Sequence, residues 1–314
     1  MTDQQDPFEG IVFDEDFVKG GVHEPPARTR EAFARYQGQQ TSWRQAGPQS
    51  PTPVRRRPSA RLHRVLGMSW IFVLLVAIFI GSAVASWQTT SRLAVFGMVM
   101  GGWLISLCLH EFGHAAVAYV AGDQSVDTKG YLRLDIRRYA HPVLSFVIPA
   151  LFVLIGGIGF PGGAVWIDQN ALRTRRWRSL TSLAGPSANL VCAVACLLPF
   201  RFIGTGQALG SHIYFWSALA FLGLLQLWAL FINLLPIPGL DGWGALEPYL
   251  RSDIVAAARR VSPFVIMIVF FIVMSSPSVN GHIVAFLDGV AGRFDVPPIL
   301  TILGNHLMRF WSNG

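Results

Sequence analysis

Charge is scarce in this 314-residue chain: 14% of its residues are Asp, Glu, Lys or Arg, against about 25% in soluble globular domains. Hydrophobic residues make up 52%, and that balance points away from a soluble fold before any motif is read. Cysteine is nearly absent. Cys108, Cys192 and Cys196 all fall in apolar stretches, which excludes a disulfide framework or a thiolate metal cluster and leaves them as small core residues. The first 60 residues are polar, so no cleavable signal peptide is expected. The formal net charge is +7. With no nucleic-acid-binding module in the sequence, that surplus points to cytoplasmic loops and lipid headgroups, and no nucleic-acid partner is expected.

What remains divides in two. Residues 1–66 are rich in Gln, Pro and charged residues, acidic at first and basic at the end (Arg55, Arg56, Arg57, Arg61, Arg64). With no sustained period, they read as a disordered cytoplasmic tail. Residues 67–314 read as a polytopic membrane domain. A span needs about 20 apolar residues. Trp70–Trp87, Leu93–Ala121, Leu180–Phe200, His212–Leu234 and Val261–Met274 qualify or come close, each almost free of charge. The arginines gather in alternate breaks: Arg133, Arg137 and Arg138; Arg173, Arg175, Arg176 and Arg178; Arg251, Arg259 and Arg260. The positive-inside rule makes those breaks and the amino terminus cytoplasmic. The stretch His282–Trp311, broken by Asp288, Arg293, Asp295, Pro297 and Pro298, reads as either an interrupted sixth span or a surface piece.

Tyr139–Ile167 resists this count. It holds no charged residue and is long enough to cross, yet arginines flank it on both sides. Its glycines and prolines suggest a re-entrant hairpin, a helix inward and an extended return, instead of a crossing. Thr128–Ile136 alternates enough to predict a small strand hairpin at the cytoplasmic rim.

Glu111 is the only charged residue between Arg92 and Asp123, and a charge deep in a span is functional by default. It belongs to His110-Glu111-Phe112-Gly113-His114, an H-E-x-x-H motif. Residues four apart share a helix face, so both imidazoles reach one cation and Glu111 stands beside it as a base. A buried polar cluster that merely ties helices together is the bland alternative. Two histidines leave a zinc site short of a third protein ligand. His141, His212 and His282 sit at span ends. Asp241 is the better candidate: it closes Asn233–Gly242, where Pro236, Pro238 and Gly239 unwind the chain just after the fourth span. Asp241 can meet the histidines only if 139–167 makes no net crossing.

The pairing of His110–His114 with Asn233–Gly242, and Ala184-Gly185-Pro186-Ser187-Ala188-Asn189 between them, resembles the site-2 protease family of intramembrane zinc metalloproteases. The resemblance covers about residues 92–250. It implies one Zn2+ per chain held by His110, His114 and Asp241, and Glu111 as the base. It implies a role for Asn189 and Asn233 in positioning substrate or stabilising the oxyanion, for which interhelical hydrogen bonding is the alternative. It further implies cleavage of transmembrane segments of membrane proteins in a bacterial plasma membrane. Gly239, Trp243 and the stretch Gly163-Ala164-Val165-Trp166 depart from the family's usual pattern, which bears on substrate preference. The expected fold is an all-α polytopic bundle of five to six spans. The alternative from another class is a metal-site membrane protein that does not cleave, a pseudoprotease or a transporter. The sequence leaves the oligomeric state and the substrate open.

Overall fold

The computed structural model describes residues 67–139, 165–203 and 210–311. Five of its helices are long and apolar enough to cross a membrane. They are α1 (Trp70–Gln88), α2 (Arg92–Ala121), α3 (Arg175–Leu197), α4 (Ile213–Asn233) and, after the short α5 (Asp241–Leu246), α6 (Ser252–Ser275). Two further helices follow, α7 (Pro277–Gly292) and α8 (Pro298–Met308). The tail expected over residues 1–66 lies outside the described residues.

Hydroxyl residues set the starts. Ser69, Ser91 and Thr174 each accept the backbone N–H three residues on, at 3.2, 3.3 and 3.3 Å, satisfying a donor that the first turn cannot. Because Thr174 caps α3, the helix begins at Arg175 and not at Leu180, so three of the arginines belong to its first turn. Likewise α6 starts at Ser252, nine residues before the apolar run. Both helices extend past their apolar stretch, as a helix needs no apolar side chains where it stands in water. Gly122 ends α2 at φ +130, a conformation suited to glycine.

Helices α2 and α4 form the middle of the bundle. In their most apolar windows 67% and 78% of residues are buried, against 11% in α1 and 6% in α6. Small residues bring the helices together: a Cβ on Gly102 would lie 2.4 Å from Leu222 Cδ2, and one on Gly113 2.8 Å from the Ala184 carbonyl oxygen. Such close approach is how helices associate in lipid, where burial from water gives no drive.

The C-terminal stretch resolves into two short helices separated at Asp295, whose φ is +61, and Pro297-Pro298. Arg201 pairs with Asp295 at 2.6 Å, and Arg92 Nη2 donates to the carbonyls of His306 and Arg309 at 2.9 and 3.2 Å. Arg201 follows the end of α3 and Arg92 opens α2, so residues 295 and 309 lie at the same end of the bundle. The 11-residue helix α8 between them starts and finishes at that end.

The strand hairpin expected over Thr128–Ile136 is not formed, and no strand occurs among the described residues. A helical turn (Ser125–Thr128) and two 3-10 turns (Tyr131–Arg133, Ile136–Arg138) stand there. Tyr131 and Leu132 are both buried, at 5% and 1% exposure. Consecutive inward side chains are incompatible with the alternating faces of a strand, and Gly130 and Leu134 turn the chain with φ of +75 and +49.

The hairpin expected over 139–167 lies outside the described residues apart from its ends. Both ends rest on the same part of α2. The Tyr139 hydroxyl donates to the Cys108 carbonyl at 3.2 Å, and the Val165 N–H donates to Glu111 Oε2 at 3.1 Å. The Arg173 N–H reaches the Ala121 carbonyl at 3.2 Å.

Candidate metal centre

His110 and His114 project from one face of α2, and Asp241 opens α5 beyond the end of α4. The loop between explains how a carboxylate from another helix arrives there. Pro236 and Pro238 lack the N–H a helix needs, and Gly239 turns at φ +100. Leu240 N–H closes on the Ile237 carbonyl at 3.0 Å. Gly242 packs so closely that a Cβ would stand 2.2 Å from the Leu234 carbonyl oxygen. The Ser179 hydroxyl then binds the Ala245 carbonyl at 2.7 Å, fixing α5 against α3.

His110, His114 and Asp241 are brought together; among the described residues they are the group able to hold a metal ion. The two Nε2 atoms are 3.1 Å apart. Asp241 Oδ2 is 3.2 Å from Nε2 of His110, and Oδ1 is 3.3 Å from Nε2 of His114. Zinc ligands at about 2.0–2.1 Å in a tetrahedron are separated by about 3.3 Å. The triangle therefore has the size of one face of a zinc site.

Proton positions support the same fit. His110 Nδ1 faces Asn189 Oδ1 at 2.5 Å, and His114 Nδ1 faces the Thr181 carbonyl at 2.7 Å. An acceptor opposite Nδ1 places the proton there and leaves the Nε2 lone pair free. Asn189 is held in that orientation by a buried relay. Its Nδ2 donates to Gln226 Oε1 at 3.0 Å, Gln226 Nε2 to Ser106 Oγ at 2.8 Å, and the Ser106 hydroxyl to the Trp103 carbonyl at 2.8 Å. Two imidazole lone pairs thus converge on a carboxylate whose Oδ2 is buried and accepts no hydrogen bond. Three electron-rich atoms in one spot call for a cation.

Glu111 is buried at 1% exposure, with Oε2 taken by the Val165 N–H and Oε1 left free of that bond. Gly185 borders the centre: a Cβ on it would lie 2.2 Å from His114 Nε2 and 2.7 Å from His110 Nε2. An open cleft of about 300 Å³, lined by Asp241, Trp243, Glu247, Arg259 and Ser262 among others, reaches Asp241 from the side of α6.

The remaining candidates lie elsewhere. Asn233 is buried in the last turn of α4. His212 stacks on Trp87 at a centroid distance of 3.6 Å, His282 bonds the Ser278 carbonyl of its own helix, and His141 lies outside the described residues. Sequence reading passed over Gln226 and Ser106. The available signal was Gln226 itself, the one amide in α4 before Asn233.

Comparison with known proteins bears directly on this centre. The chain is 44% identical over 258 residues to a protein of Mycolicibacterium smegmatis named "Putative zinc metalloprotease Rip2", covering 77% of this chain and 93% of that one. This chain belongs to the site-2 protease family. Rip2 of Mycobacterium tuberculosis is 44% identical over 228 residues, 72% of this chain and 85% of its own. A protein of Bacillus subtilis named "Putative zinc metalloprotease YwhC" is 27% identical over 183 residues, 54% of this chain and 77% of its own. No family model matches the chain, and no solved structure matches it. Membership makes the protein a zinc metalloprotease, its cofactor Zn2+, and its setting a membrane.

Proposed function

We propose that the protein is an intramembrane endopeptidase that cleaves transmembrane segments of other membrane proteins, with His110, His114 and Asp241 as the zinc ligands and Glu111 as the base. The observation that carries this reading is the position of the triangle. Its histidines stand within the second of five apolar helices, on the side from which both ends of the 139–167 segment approach. A substrate bond must come to that depth to be cut.

His110, His114 and Asp241 would hold the zinc, which when bound would supply Lewis acidity to the scissile carbonyl and to a water of pKa about 7. Glu111 follows His110 in the chain and one of its oxygens accepts the Val165 N–H; the other would take a proton from the attacking water and hand it to the leaving amide nitrogen. Asn189 accepts the His110 Nδ1–H hydrogen bond and so orients the ring, and Asn233, buried in the last turn of α4, would position substrate or stabilise the oxyanion. A helical substrate must unwind first, since its carbonyls are otherwise hydrogen-bonded along the helix. The arginine-rich breaks support a cytoplasmic amino terminus and a metal centre toward that same side, and the membrane of this reading is a bacterial plasma membrane.

Reconstitution in proteoliposomes with a single-pass substrate tests the reading. The products, mapped by mass spectrometry, are expected to end inside the substrate's apolar segment. Cuts confined to its water-exposed loops would contradict it.

A further inference from the structure

Asp123 stands one residue past the glycine that ends α2, and 1% of it is exposed. A buried carboxylate is tolerated when its oxygens are paired. Here Oδ1 accepts the Ser125 N–H at 2.8 Å and Oδ2 accepts the Asp168 N–H at 2.8 Å. The first bond shapes the local turn. The second ties in a segment 45 residues further along the chain.

That segment, 165–173, lies as a strap across the end of α2. Lys129 Nζ donates to the Trp166 carbonyl at 3.2 Å and stands 3.9 Å from the centre of the Trp166 ring. Gly122 admits the Ala171 carbonyl oxygen, which a Cβ would meet at 2.7 Å, and Arg173 N–H is held by the Ala121 carbonyl. Trp166 points outward, 61% exposed, while Val165 is buried at 8%. At its near end the strap delivers the Val165 N–H to Glu111 Oε2.

We propose that Asp123 is a positioning residue for peptide cleavage: by fixing Asp168 it keeps the Val165 amide on one oxygen of Glu111, so that the other is presented to the reacting groups. This rests on the reading of Glu111 as the base. A glutamate has three side-chain torsions, and a charge-assisted bond at one oxygen removes most of that freedom. From Asp168 to Val165 the chain can reach about 10 Å at most, so an anchor at one end restrains the other. Lys129 supports the same strap midway. Asp123 itself bonds none of the metal-centre residues.

The test uses the full chain in detergent, with Asp123→Asn and Lys129→Met beside wild type. Three readouts are taken: zinc per chain, hydrogen exchange of the 165–168 amides, and kcat and KM on a transmembrane substrate. Asn keeps the size of Asp but sets an amide N–H against one of two N–H donors. Asp123→Asn is expected to keep its zinc, to exchange those amides at least tenfold faster, and to lose at least tenfold in kcat with KM within twofold. Lys129→Met should move the same quantities less, and it carries the test if Asp123→Asn does not fold. Unchanged exchange overturns the proposal, as does faster exchange with wild-type kcat. A rise in KM at constant kcat also overturns it, because the strap then serves binding alone. If wild type cleaves nothing while exchange responds as described, the base reading fails and this role with it, and the tie itself stands.

Discussion

Asn189 turns its carbonyl oxygen to within 2.5 Å of His110 Nδ1. Its own amide is claimed by Gln226, so three helices share responsibility for one imidazole: α2 carries the ring, α3 the acceptor and α4 the group that aims it. A partner of this kind fixes the tautomer and the ring orientation, and its loss typically costs 10–100-fold in metal affinity. Asn189→Ala should therefore weaken zinc binding by about that factor. Gln226→Leu, which touches no imidazole, should do so by about tenfold. Competition with a chromogenic chelator checks both; wild-type affinity in Asn189→Ala would dissolve the relay.

Gly185 offers a steric counterpart. Its missing Cβ leaves the space beside both Nε2 atoms, so Gly185→Ala should displace an imidazole and abolish stoichiometric zinc, measured by atomic absorption on purified protein. Gly113→Ala, whose Cβ would press on the Ala184 carbonyl and not on a ring, should lower thermal stability by about 1–3 kcal/mol while zinc stays bound.

Topology is open to a chemical test. Cysteines replacing Arg138 and Arg173 should both react with an impermeant thiol reagent from the same side, and that side should be the cytoplasm. The described ends of the 139–167 segment meet the same stretch of α2, which motivates the first expectation; the arginine count motivates the second. Labelling of the two positions from opposite faces would break the parity that lets Asp241 reach the histidines.

Much of this architecture was legible in the sequence because it is written in local patterns. Long apolar runs fix where the bilayer must be crossed, and H-E-x-x-H fixes two donors on one helix face. Asp241 stood out because prolines unwind the chain before it. Where reading ran short, the cause was physical. Hydropathy reports the bilayer and not the helix, so α3 and α6 begin earlier than their apolar runs. The alternation at Thr128–Ile136 suggested strands, but Tyr131 and Leu132 bury side by side under helical turns. Gln226, Ser106 and Asp123 are single polar residues whose meaning depends on distant partners: 37 and 120 positions away for Gln226, 120 for Ser106 and 45 for Asp123. No pattern along the chain displays such a relation.

One pair of numbers on one preparation tests the account at its centre: zinc per chain and the rate of transmembrane-substrate cleavage, for wild type, Glu111→Gln and Asp241→Ala. Glu111→Gln is expected to retain about one zinc and to lose cleavage by at least about a hundredfold, the scale of general-base loss being about 10²–10⁴. Asp241→Ala should lose both. A Glu111→Gln protein that cleaves at close to the wild-type rate, or an Asp241→Ala protein that keeps its zinc, would contradict the account.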